Sequence, residues 1–239
     1  VMNQVDMAKE SDAAEEYERQ ATLQALQSQI NPHFLYNTLE CIRGQALMDC
    51  NTSVAYMLEA LGNFFRYSIS RRENVVTLAD EINNIHSYML IQNYRFLNRY
   101  RFELEYLEDE EPLLGCYVPK LTLQPIVENA LIHGFQNQKS GCVTLTVDAS
   151  DSMLMLTVSD DGEGMDTAVL DELNRKIQSR QTLLRKPASH GNGIALQNVN
   201  RRIMMLYGRS YGLHVYSTPG RGTDVEIILP RITKAEVMT

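Results

Sequence analysis

Four stretches of this chain carry residue types whose spacing can do chemistry. In Leu123-Gln124-Pro125-Ile126-Val127-Glu128-Asn129-Ala130-Leu131-Ile132-His133-Gly134, a helix puts Asn129 and His133 one turn apart on one face with Glu128 beside them. A carboxylate, an amide oxygen and an imidazole can then converge. Magnesium takes oxygen ligands and keeps several waters, and one or two protein ligands beside substrate phosphates suffice, a demand that a single Asn meets. The same residues also read as a buried polar helix. Asp160-Asp161-Gly162-Glu163-Gly164 follows a strand pattern. Its first carboxylate can accept from the amino group of adenine while Gly162 and Gly164 let the backbone come close, although hairpin turns use the same residues. His190-Gly191-Asn192-Gly193 opens a helical pattern, and unsatisfied amides at such a start bind phosphate. The segment before it, 165–189, has room to act as a lid. Lys176, Arg185 and Lys186 within it can touch phosphate or simply be solvated. Far upstream, Gln29-Ile30-Asn31-Pro32-His33-Phe34-Leu35-Tyr36-Asn37 sets a histidine directly after a proline inside a helical pattern. An interior proline costs roughly 3 kcal/mol, which suggests a site, with the His33 ring reachable from solvent; a core histidine in a kinked helix is the plainer alternative.

These residues need elements to hold them. Residues 1–28 contain no Gly or Pro and read as the incoming part of a long helix that runs through His33 to about residue 48. Its residues Leu23, Leu26, Ile30, Phe34 and Asn37 form one stripe, and Leu35, Leu39, Ile42 and Ala46 a second. Polar residues 49–53 supply a turn and an N-cap for a second helix, whose apolar face includes Val54, Met57, Leu58, Leu61, Phe64 and Phe65. A helical hairpin with two apolar stripes on one helix is best buried as a homodimeric four-helix bundle. After residue 72 the pattern changes. Thr77 caps a helix to about residue 98, and strands are expected at 101–107, 143–149, 153–159, 213–218 and 223–229. Helices are expected at 119–137, 169–180 and 193–207. The fold class is therefore α+β: a helical module at 1–72, then at 73–239 one mixed sheet with helices over a single face.

Composition narrows the function. At 239 residues with 44% hydrophobic residues the chain can build a substantial core. A net charge of −8 argues against nucleic-acid binding. Four cysteines without a C-x-x-C pair signal neither a zinc site nor a disulfide framework and fit a cytosolic setting. No run has the roughly 18 apolar residues of a membrane span.

The order Glu-Asn helix, Asp-x-Gly-x-Gly after a strand, Gly-x-Gly opening a helix, then Pro219-Gly220-Arg221-Gly222-Thr223 before a last strand resembles the Bergerat ATP-binding fold of the GHKL superfamily. With Gln-Ile-Asn-Pro-His-Phe-Leu-Tyr-Asn-Thr-Leu upstream, the chain resembles the cytoplasmic part of LytS/YesM-family sensor histidine kinases over residues 20–230. The resemblance implies autophosphorylation on His33 by ATP and onward transfer to an aspartate of a response regulator receiver domain. It implies Mg2+ held by Asn129, Glu128 close to it, His133 near the phosphates and Asp160 on adenine. Gly162, Gly164, Gly191 and Gly193 would shape the nucleotide loops, with Thr223 beside the base. It also implies a cell-membrane protein whose sensor and span lie N-terminal to this cytoplasmic part.

Two departures stand out. Ala195 replaces a glycine of the second loop, which predicts altered lid packing rather than loss of ATP binding. Phe34 stands where commoner kinases put an acid after the histidine, leaving the general base open. Glu128 could serve if the domains dock, and Asn37, one turn on, could orient the imidazole. The Pro32 kink is expected to let the incoming helix control access to His33. Two other classes fit the same motifs, a GHKL-type ATPase with Glu128 activating water and a non-catalytic nucleotide-binding dimeric scaffold.

Overall fold

The computed structural model describes residues 32–69, 74–179 and 193–233. The chain forms two compact units, 1–62 and 63–239. In the first, helix α1 (Pro32–Met48) leads through a short turn to α2 (Thr52–Ile69), the last residues of which belong to the second unit. Cys50 takes a left-handed φ of 56° in that turn, and Asn51 caps α2 by accepting the Val54 N–H at 3.3 Å. Leu39, Ala46 and Leu58 are buried as the spacing predicts, and Ala55 and Ala60, outside the expected stripe, are buried with them. Phe34 and Ile42, expected on apolar stripes, are 70% and 47% exposed in the single chain. The expected incoming helix and the backbone before Pro32 lie outside the described residues.

The second unit holds strand β1 (Val75–Thr77), α3 (Leu78–Arg95), β2 (Tyr100–Tyr106), α4 (Glu110–Leu114) and β3 (Tyr117–Pro119). There follow α5 (Gln124–Asn129), which widens into a π-helical turn at Ala130–Gly134, then β4 (Gly141–Ala149), β5 (Met153–Asp160), α6 (Thr167–Gln178), α7 (Ile194–Tyr207), β6 (Gly212–Thr218) and β7 (Gly222–Pro230). The strands β2-β4-β5-β7-β6 make one mixed sheet, parallel only between β2 and β4, and β1 pairs antiparallel with β3. Alternation decides which face is covered: Val143, Leu145 and Val147 of β4, Leu154, Leu156 and Val158 of β5, and Val225, Ile227 and Leu229 of β7 are buried. Ile126, Val127, Val199 and Ile203 of the helices belong to the same core. The residues between them, such as Thr144, Thr157 and Glu226, remain partly open. This is an α/β sandwich with helices on one side.

Several boundaries differ from expectation for identifiable reasons. The helix expected at 119–137 begins at Gln124, because Pro119 closes β3 and Leu121 takes a left-handed φ of 58° in the turn that follows. The helix expected to reach residue 98 ends at Arg95, since Leu97 and Asn98 are left-handed at 55° and 58°. Thr77 is the cap as expected, in a reciprocal capping box with Asp80. Part of the expected lid, residues 167–178, is helix α6, and residues 180–192 lie outside those described.

Candidate active site

The sheet and helices leave one cleft where the separate motifs meet. It measures about 650 Å³ to its mouth and is lined by Asn129, His133, Asp160, Gly164, Gly193 and Thr223, with an apolar floor of Ile126, Val158, Met165, Leu173, Leu196, Val215 and Val225. A concave site that is mostly apolar with a few polar groups suits a small organic molecule. Its polar residues come from elements that are distant in sequence. Asn129 and His133 sit on α5 and its π-helical continuation, Asp160 ends β5, Gly193 starts α7 and Thr223 lies opposite Asp160 on β7.

Asp160 is the chemical centre. Burial pushes its carboxyl up to about 6, while hydrogen bonds from the Gly162 and Thr223 backbone N–H groups pull the other way. The Gly162 N–H donates to Oδ1 at 2.9 Å. A carboxylate removed from water while keeping accepting capacity is poised for a donor supplied by a ligand. Gly164 turns the chain here with φ of 67°, and any Cβ on it would run into the Thr218 carbonyl, so its freedom from a side chain is required. Ser217 ties the turn to the strands, accepting the Met165 N–H at 2.9 Å, donating to the Gly222 carbonyl at 2.8 Å and lying 2.9 Å from Thr223 Oγ1. On the opposite wall the Asn129 Nδ2 is buried with no hydrogen-bond partner. An orphaned amide facing a cleft is a group waiting for a ligand.

The remaining expected residues fall as follows. Glu128 is not among the cleft-lining residues, and its carboxylate accepts from Gln124 Nε2 at 2.8 Å. The convergence of all three groups of that stretch is thus corrected to Asn129 and His133, because adjacent helix positions point about 100° apart. Gly191, Arg185 and Lys186 lie outside the described residues. Lys176 pairs with Glu172 at 2.6 Å on the surface of α6. In the first unit His33 is exposed, and Asn37 Nδ2 stands 3.3 Å from its Nδ1. The apolar lining residues and Ser217 were missed in the sequence; the alternation of β5 to β7 could have found Val158, Val215 and Val225, and the helical period Ile126, Leu173 and Leu196.

Residues 21–100 match the family model described as histidine kinase, and residues 119–233 the one described as histidine kinase-, DNA gyrase B- and HSP90-like ATPase. The sensor histidine kinase YesM of Bacillus subtilis (strain 168) is 35% identical over 213 residues, 89% of this chain and 34% of that protein. The chain belongs to the histidine kinase family. Other family members similar to it include the sensor protein LytS of Bacillus anthracis, 32% identical over 88% of this chain and 34% of that one. The sensor histidine kinase YpdA of Escherichia coli (strain K12) is 30% identical over 96% and 38%. The chain spans about a third of the length of these relatives. Among solved structures, the histidine kinase domain of a blue-light activated histidine kinase of Erythrobacter litoralis overlaps at a TM-score of 0.43 with 20% identity, over 92% of this chain and 94% of that one. The family's ATPase-type segment, an ATP-binding domain, contains every residue that lines the cleft. Among the described residues no helix is long and apolar enough to cross a membrane.

Proposed function

We propose that this chain is the kinase part of a two-component sensor, transferring the γ-phosphoryl group of ATP to His33 and from there to an aspartate of a response regulator. The supporting observation is the single cleft in which Asn129, His133, Asp160 and Thr223 meet. In this reading Asp160 accepts from the adenine amino group, Gly162 holds Asp160 in place, and Thr223 lies beside the base. Gly164, Gly191 and Gly193 let backbone approach the nucleotide. The unpartnered amide of Asn129 fits magnesium or phosphate, since a flip of the amide presents either an oxygen ligand or a donor. His133 at the mouth faces the phosphate end. Magnesium, when bound, neutralises phosphate charge.

His33 supplies the nucleophile: a neutral ring nitrogen forms the N–P bond as the bond from Pγ to the ADP oxygen breaks, and the ring proton leaves to a base or water. Asn37 orients the ring. Glu128 is not among the residues that line the cleft, which favours phosphotransfer over hydrolysis driven by Glu128. The proposal includes a module boundary near residue 72 and a homodimer through the N-terminal helices, for which the exposed Phe34 and Ile42 offer apolar surface. It also includes a cytoplasmic setting on a membrane-anchored whole protein, where ATP and a receiver domain are at hand.

Incubation with γ-labelled ATP tests the reaction. Acid-labile, base-stable label on the wild type and none on His33→Gln is expected. Phosphate release without protein-bound label would establish an ATPase instead.

A further inference from the structure

A buried carboxylate outside the cleft holds the cleft's framework. Glu81, in the first turn of α3, is fully buried. Its two oxygens accept from the backbone N–H groups of Leu121, of Thr122 at 2.9 Å and of Leu123 at 2.8 Å, and Oε1 also takes the Tyr67 hydroxyl. Those amides form the turn between β3 and α5. The same turn is gripped from its other side: Arg202 Nη2 of α7 donates to the Leu121 carbonyl at 2.9 Å and to Thr122 Oγ1 at 3.3 Å. Thr122 Oγ1 in turn donates to the Pro119 carbonyl at 2.6 Å. One short turn therefore offers its N–H groups to an anion and its carbonyl to a cation, each carried by a different helix.

This arrangement has a geometric consequence for the cleft. Helix α5 starts at this turn and carries Asn129 onto one wall, while α7 carries Leu196 onto another and Gly193 precedes it. Asn129 lies about 9 Å along the axis from the clamped turn, so a displacement there is carried to it by a rigid helix. The clamp is also demanding: burial pushes the Glu81 carboxyl up and the Arg202 guanidinium down, while the hydrogen bonds from Tyr67 and the three amides favour the ionised carboxylate. A neutral amide at position 81 would set its NH2 against one of the backbone donors, while a hydrophobic residue would leave all three without an acceptor.

We propose that Glu81 and Arg202 are positioning residues of the nucleotide site, clamping the turn at residues 121–123 from both sides and thereby setting where Asn129 and His133 stand relative to the start of α7. The inference rests on the nucleotide reading of the cleft. Neither residue lines the cleft, so their effect is on where its walls stand.

The experiment uses the full chain and titrates MgATP by calorimetry, with amide hydrogen exchange at residues 121–123 and a denaturant midpoint on each variant. Glu81→Gln and Arg202→Lys are expected to raise the dissociation constant of MgATP about tenfold, the loss of one charge-assisted hydrogen bond. Exchange at the turn is expected to quicken, and the KM for ATP to rise more than kcat falls. Should Glu81→Gln fail to fold, Tyr67→Phe, which removes one hydroxyl from the same cluster, decides the matter with an expected rise of about threefold. A folded variant with quickened exchange at the turn and wild-type MgATP binding would overturn the inference. If Asn129→Asp loses MgATP while Glu81→Gln keeps it, this inference alone fails. If the wild type does not bind MgATP, the nucleotide reading fails and this inference with it.

Discussion

Replacing Asp160 by Asn should make the nucleotide-free chain more stable while weakening its grip on nucleotide. Burial holds the Asp160 carboxyl at about 6 in the fold against 3.8 as its ordinary value. Between those values the folded chain binds more protons than the unfolded one, so stability falls as pH rises and the penalty is complete above about pH 6. The difference of about 2 pH units corresponds to about 3 kcal/mol. Of this, about 2 kcal/mol should accrue between pH 4.5 and 7.5. The Asn variant carries no ionisation at this position and keeps an oxygen for the Gly162 N–H. Urea denaturation of both proteins at the two pH values isolates the effect, because every other titrating group is shared. The stability of Asp160→Asn relative to wild type should rise by about 2 kcal/mol from the lower pH to the higher. Nucleotide affinity at pH 7.5 should fall by about 10- to 100-fold, the worth of a charge-assisted hydrogen bond. A stability difference independent of pH would mean that ionising Asp160 carries no burial penalty, and the reasoning about the cleft's polarity would be wrong.

Three further outcomes follow from particular contacts. Gly164→Ala forces a Cβ into the Thr218 carbonyl at φ of 67°, and should cost about 1–3 kcal/mol in urea denaturation and weaken nucleotide binding. Thr77→Ala removes the hydroxyl that accepts the Asp80 N–H while leaving the backbone N–H of residue 77 on the Asp80 carboxylate, and should lower stability by about 1 kcal/mol, seen as a Tm lower by about 2–4 °C. Asn37→Ala removes the side chain 3.3 Å from the His33 ring; phosphorylation of His33 should slow by about tenfold with the KM for ATP unchanged, measured by label incorporation over a range of ATP concentrations.

Elements with a strong local code are legible in the sequence. Thr77 followed three residues later by Asp80 marks a helix start whatever surrounds it, and the two residues form the observed capping box. The alternation from Gly141 to Ala149 marks a strand with one buried face. Elements whose reason is non-local are not legible. β1 and β3 are three residues each and exist only because they pair with each other across some forty residues of chain. Nothing in Leu97 or Leu121 announces a left-handed backbone as a glycine would, and Asn98 signals it only weakly, so periodicity misplaces the end of α3 and the start of α5. Glu81 reads as an acid favourable to a helix dipole, which describes a surface residue, whereas the fold buries it completely.

The residue types that do chemistry, their order and the period of the elements beneath them are properties of the chain itself, because periodicity and capping act over a few residues. Those properties alone single out His33, Asn129 and Asp160. That Asn129, Asp160 and Thr223 share a cleft while Glu128 turns away from it is decided by strand register and helix rotation. So is the clamping of the 121–123 turn by Glu81 and Arg202. Register and rotation are set by which apolar face each element buries against the others, and that choice is made only when the whole core is assembled.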